Sequence, residues 1–153
     1  MSEKTAKPLL LGMNNPLSDD PEYDLYPYPE GSSGWRLWKM LPGDPPRAEY
    51  LRRFDRRNLL RAREWSAGAA RAAAAALLLE LRGRTVIVLG SQVRAALDLP
   101  RVEPLTWHAC EAHGFDWLAV PHPSGKNLWY NNLANRSQVG AFLWSLACRG
   151  AAQ

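Results

Sequence analysis

Short apolar runs separated by turn-rich or helix-forming segments set the pattern of this chain. Leu9 to Met13 follows Pro8 and reads as a buried strand. Thr85-Val86-Ile87-Val88-Leu89 is β-branched, uncharged and closed by Gly90, which makes it the plainest strand. Trp117 to Val120, stopped by Pro121, reads as another, and Asn58-Leu59-Leu60 as a fainter one. Between them the period changes. Ser33 is placed to cap a helix over Trp35, Leu37, Trp38 and Leu41 that ends before Pro42. Residues 46–53 form a second short helical stretch. Ser66 opens an alanine-rich helix running to about Leu81 and stopping at Gly83. Ser91 caps a short helix to Leu97, and Leu105 to His113 reads as helical. Ser137 to Cys148 is amphipathic, with Val139, Phe142, Leu143 and Leu146 on one face.

Strands alternating with helices predict a single α/β domain over 1–153, three layers deep around a four-stranded, mostly parallel sheet. In such sheets ligands bind beyond the carboxyl ends of the strands. That rule selects the segments after Met13, Leu60, Gly90 and Val120, where the polar residues collect. The segment Asn14 to Gly34, with four prolines and two glycines, is too long for a simple connection and reads as a functional loop. Its tyrosines, Tyr23, Tyr26 and Tyr28, have surface to bury and argue for order.

Charge adds a partner class. Residues 1–34 carry two lysines against six acids, so the net charge of +4 comes from the remainder. Arg47, Arg52, Arg53, Arg56, Arg57, Arg61 and Arg63 crowd together, and arginine's planar fork suits phosphate. The alternative is a solvated helix face. No apolar run reaches the roughly 18 residues of a membrane span, and the charged N-terminus lacks the apolar core of a signal peptide. Cys110 and Cys148 lack metal-ligand spacing and read as buried thiols of a reduced, cytoplasmic protein. No Gly-rich phosphate loop, metal-ligand cluster or G-x-S-x-G elbow occurs. The expectation is a monomer that needs no cofactor or metal, with DNA and not a membrane as its partner.

Two loops carry the candidate chemistry. The first begins Gly12-Met13-Asn14-Asn15-Pro16, and the last begins His122-Pro123-Ser124-Gly125-Lys126-Asn127. In this order, at the ends of the first and last strands, they resemble the two active-site motifs of the uracil-DNA glycosylase superfamily. The resemblance is nearest to the mismatch-specific and single-strand-selective branches. Tyr26-Pro27-Tyr28 resembles the aromatic-proline-aromatic element of the former, and Gly34 to Lys39 its helix after the pocket loop. Asn58-Leu59 resembles the Asn-Leu pair that follows the second strand in the latter. The likeness runs from Leu10 to about Trp144, with the two motifs as its specific part.

The resemblance implies a uracil-DNA glycosylase-like fold and a monofunctional glycosylase that breaks the N-glycosidic bond of a flipped pyrimidine, leaving an abasic site. His122 would donate to the base O2, where negative charge develops as the base departs. Asn14 would position the attacking water, since an amide lacks the proton affinity of a general base. Met13, Tyr26, Tyr28 and Asn58 would bind the base, with Tyr28 the first choice for a stacking platform and Asn58 for reading its edge. Ser124, Gly125, Lys126 and Asn127 would face the DNA backbone, and Leu128 or Trp129 would supply an apolar wedge. Tyr26 packing under its loop, Asn58 tying a strand end and Trp129 in the core are the structural alternatives. The iron-sulfur cluster of some relatives needs four cysteines, and this chain has two.

The chain departs from the family pattern twice. Asn15 stands between Asn14 and proline, and the pocket loop is longer and more acidic, with Asp19, Asp20, Glu22 and Asp24. The target base is therefore uracil or a bulkier modified pyrimidine, and one loop carboxylate is a candidate base. Two other classes stay open: an idle superfamily member that binds nucleic acid or a nucleobase, and an enzyme of free nucleotides.

Overall fold

A computed structural model describes residues 7–152, with no account of the side chains beyond Arg149; the charged N-terminal segment, residues 1–6, lies outside them. The observed strands are β1 (Leu9–Gly12), β2 (Asp55–Asn58), β3 (Thr85–Leu89), β4 (His108–Cys110) and β5 (Phe115–Val120). They form one five-stranded sheet in the order β2-β1-β3-β5-β4, parallel except for the β4–β5 pair. The architecture is α/β and mostly parallel, with five strands instead of four. The helices are α1 (Ser33–Met40), α2 (Arg47–Arg53), α3 (Ala67–Leu78), α4 (Ser91–Ala96) and α5 (Leu133–Ala152).

Period-2 alternation in the central strands builds two cores. Leu9, Leu11, Val86, Val88, Phe115 and Trp117 pack with α3 and α4 on one face. Leu10, Ile87, Leu89, Leu118 and Val120 pack with α1, α2 and α5 on the other. Because both faces are covered, the middle strands read as unbroken apolar runs.

The differences from the sequence reading lie at edges and caps. The expected helix over 105–113 contains β4 instead. Leu105, in the left-handed region at φ 63°, donates its N–H to Ala119 O, and Gly114 at φ 70° turns the chain into β5. The second strand starts at Asp55, not Asn58, since at a sheet edge charged residues extend without losing burial. Leu59 and Leu60 follow it but still donate to Gly12 O and Met13 O, at 2.9 and 3.0 Å. Ser32, not Ser33, caps α1, accepting from Trp35 N at 3.2 Å. Ser66 caps α3 as expected, although the regular helix ends at Leu78 and buried Leu81 follows in a turn. Gly90, not Ser91, precedes α4. α5 starts at Leu133, with Asn132 Oδ1 accepting from Ala134 N at 2.8 Å. Neither cysteine is fully buried, and Cys148 is exposed on α5; both are free thiols.

Candidate functional site

Four parallel strands point their carboxyl ends to one edge, and the loops that leave them meet there. The loop after β1 and the loop after β5 enclose a cavity of about 670 Å³, within the roughly 300–1,000 Å³ usual for small-molecule sites. Met13, Asn14, Tyr26, Tyr28, Asn58 and His122 all line it, as do Ser124 and Gly125 at its rim. Residues 108 positions apart in the sequence thus share one wall-to-wall space.

The two asparagines after β1 are held by backbone groups. Asn14 Nδ2 donates to Ala62 O at 3.2 Å and Arg63 O at 2.8 Å, which spends its donors and leaves its carbonyl oxygen as the free function. Asn15 turns back into its own loop, donating to Tyr23 O at 3.2 Å and accepting from Leu17 N at 2.9 Å. The extra residue is absorbed by the loop while Asn14 keeps its place on the cavity wall. His122 is half-buried, and desolvation pulls its pKa below the ordinary value, so the neutral imidazole prevails at neutral pH. Its backbone carbonyl accepts from Asn127 Nδ2 at 3.0 Å. Gly90, at φ 93°, lies against it: a Cβ there would sit 3.0 Å from His122 Cβ. The end of β3 therefore supports the histidine from behind.

Asp24 is the largest surprise. Instead of a solvated turn residue it is 1% exposed. Its carboxylate accepts from Asn58 N at 2.9 Å, Asn58 Nδ2 at 3.3 Å and both Nη groups of Arg61. This cluster ties the pocket loop to the end of β2 and orients Asn58, one of whose amide hydrogens is thereby spent. Asp20 accepts from Glu22 N in a short 3-10 turn, and Asp19 is exposed. Neither they nor Asp24 line the cavity, and among the described residues no other carboxylate does. Two further tethers hold the loop: the buried Tyr50 hydroxyl donates to Leu25 O at 2.7 Å, and burial pushes the Tyr50 phenol pKa up. Gly34, at the start of α1, touches the same loop so closely that a Cβ would lie 2.2 Å from Leu25 O.

Much of the arginine-rich segment is engaged within the chain. Arg47 donates to Pro27 O and lies over Trp38. Arg52 and Arg53 both pair with Glu49, Arg57 with Glu80, and Arg61 with Asp24. Arg56 donates to the Glu22 and Asp24 carbonyls. Most of these cations brace the loop or their own helix; Arg63 makes no ion pair among the described residues.

The aromatic residues divide in the same way. Tyr28 is exposed at the cavity mouth, whereas half-buried Tyr26 meets Tyr23 edge-on at 5.2 Å and sits near Arg56. Tyr23 and Leu17, which also line the cavity and are exposed, carried no motif signal. Trp129 is partly buried, packed against the α5-side core and edge-on to Tyr130 at 4.9 Å, as in the core alternative. Leu128 is 76% exposed and stays available. Asn127 is spent on loop bonds to His122 O and Trp129 N, and Lys126 is exposed outside the cavity lining. No helix among the described residues is long and apolar enough to cross a membrane. No protein-family model matches the chain, and no curated protein matches it.

Proposed function

We propose that this protein is a monofunctional DNA glycosylase that hydrolyses the N-glycosidic bond of a flipped uracil or modified pyrimidine, on a uracil-DNA glycosylase-like fold. The observation that carries this reading is the cavity itself, where Asn14, His122 and Asn58 converge with an exposed tyrosine and without a carboxylate. A site of this kind suits a reaction driven by leaving-group stabilisation more than by general-base attack.

In the proposed reaction Tyr28 stacks on the extruded base and Asn58 offers its remaining amide N–H and its carbonyl to the base edge. The C1′–N1 bond breaks with its electron pair passing to the base. His122, as a neutral imidazole, donates a hydrogen bond to the base oxygen where that charge collects. The Asn14 carbonyl holds a water whose oxygen bonds to C1′, and the proton it loses neutralises the departing base anion. Among the described residues no lysine lines the cavity, which suits hydrolysis without strand cleavage by an attacking amine. The cavity is wider than one pyrimidine ring needs, and a substituted base fits this account as well as uracil does.

The test is direct. Single-stranded and duplex oligonucleotides carrying uracil or a modified pyrimidine are incubated with the protein, and abasic sites are then cleaved with alkali. Strand breaks that are lost in both Asn14→Ala and His122→Ala support the proposal. Binding without breaks on any substrate favours an idle binding module, and activity confined to mononucleotides favours an enzyme of free nucleotides. Full activity in both variants refutes the site.

A further inference from the structure

A second concavity, of about 720 Å³, lies between α1 and the start of α5 and shares Ser124 and Gly125 with the cavity above. Arg36, Lys39 and Arg136 line it, and among the described residues no acidic one does. Arg36 Nε donates to Gly31 O at 3.1 Å, which orients the guanidinium while its two Nη groups make no hydrogen bond among the described residues. Its terminal nitrogen lies over Gly125, where an added Cβ would be 2.6 Å from Nη2. Arg136 is exposed in the second turn of α5 and makes no ion pair among the described residues. Lys39 is only loosely engaged, 4.0 Å from Asp44 at the rim. In contrast to Arg52, Arg53, Arg57 and Arg61, these cations have little to neutralise them among the described residues.

Three under-neutralised cations around an acid-free groove fit an anionic ligand, and arginine's spare N–H fork fits phosphate oxygens. The shared rim at Ser124–Gly125 puts that ligand next to the base cavity. We propose that the groove is the track for the DNA backbone, with Arg36, Lys39 and Arg136 holding phosphates that flank the nucleotide in the cavity. This rests on the glycosylase reading for its choice of DNA; the anion-binding character of the groove rests on its own residues. It moves the phosphate-binding role from the arginine-rich segment, where four of the seven arginines are ion-paired, to helices α1 and α5.

The experiment measures binding separately from chemistry. Fluorescence anisotropy follows a labelled 15-nucleotide single-stranded DNA without a target base, for wild type, the triple variant R36Q/K39Q/R136Q and the control Arg57→Gln. Each lost phosphate contact on a single strand flattens the slope of log K against log salt by about 0.7, so the triple variant should lose about two units of slope. At ~0.1 M salt the same relation gives a loss of about a hundredfold in affinity. Arg57→Gln, which faces Glu80, should leave both unchanged. Thermal melts that match wild type establish that the triple variant is folded, and Arg36→Gln and Arg136→Gln separately should each show a part of the loss. A loss below about threefold, an equal loss in Arg57→Gln, or tighter binding of the matching RNA overturns the proposal. Abasic-site formation with binding indifferent to the triple variant overturns the groove and keeps the glycosylase. Binding that needs the groove, without abasic sites on any substrate, keeps the groove and overturns the glycosylase.

Discussion

Breaking the Asp24–Arg61 pair should loosen the pocket loop and cost a large share of the protein's stability. Arg61→Met removes two N–H donors from a carboxylate that is 1% exposed, leaving it with the two Asn58 donors alone. Removing one partner of a fully buried pair costs about 3–5 kcal/mol, because the remaining charge is stranded. The Arg61 side chain is 41% exposed, so water replaces part of it and the cost falls to about 2–3 kcal/mol. Against a typical total of about 5–15 kcal/mol that is a severe lesion. Urea unfolding followed by tryptophan fluorescence reads it as a midpoint about 1 M lower, for a slope of about 2 kcal/mol/M. Asp24→Asn keeps the shape but turns an NH2 group toward existing donors, so it should cost a similar amount. The double variant D24N/R61M should then cost less than the two singles added together, by about 1–2 kcal/mol. A cost below about 0.5 kcal/mol for Arg61→Met, or strict additivity in the double variant, would refute the reasoning, since Asp24 would then be solvated after all.

Other consequences follow from the same geometry. Tyr50→Phe leaves Leu25 O without its buried donor and releases a residue held at φ 50°; a loss of about 1–3 kcal/mol is expected in the same urea assay. Burial depresses the His122 pKa, so the folded state binds this proton less readily than the unfolded state, whose pKa is about 6.5. The stability tied to it is complete above that value and is lost as pH falls through the lower folded pKa. Thermal midpoints measured between pH 7.5 and 5 should therefore drop further for wild type than for His122→Gln, and equal drops would contradict the assignment. Gly125→Ala pushes a methyl group to within 2.6 Å of Arg36 Nη2; the flexible side chain should give way, weakening DNA binding severalfold with an unchanged melting temperature.

The parts legible in the sequence were those where one physical demand acts alone. β1, Val86 to Leu89 of β3 and Trp117 to Val120 of β5 are covered on both faces and apolar, so their runs stood out. Ser66 had an uncomplicated alanine helix behind it. The polar edge strand β2 and the three-residue β4 gave no such pattern, because an edge strand owes its place to backbone pairing with a neighbour far along the chain. The same limit applies at the site. The positions that a motif marked, from Asn14 to His122, come together around one cavity. The burial of Asp24 and the loop bonds of Asn127 could not be read in advance, because burial and hydrogen bonding are properties of the assembled loops. Neither the invisibility of Arg36 nor the prominence of Arg52 follows from residue type, since both are arginines on short helices. Their difference is that one has Glu49 within reach and the other has none.

That difference explains why charge density along the chain was a poor guide to a binding surface. Seven arginines between 47 and 63 invite the picture of a phosphate face, yet four of them are ion-paired with Glu49, Glu80 and Asp24, and Arg47 and Arg56 are bound to backbone carbonyls. Asp24 and Glu22 lie in the loop after β1, and it is Arg56 and Arg61 that bind this loop to β2. The acidic character of the loop and the basic character of the following segment are therefore one feature: a polar clamp that gives a 20-residue, proline-rich connection a single conformation. An apolar clamp would bury more surface but would accept several registers, whereas a carboxylate with two arginine and two amide donors accepts one. Salt should therefore act on the two sets of cations differently. Screening will weaken the exposed cations of the α1–α5 groove strongly and the buried Asp24 cluster little. DNA release at high salt with an unchanged unfolding midpoint would separate the binding charges from the structural ones.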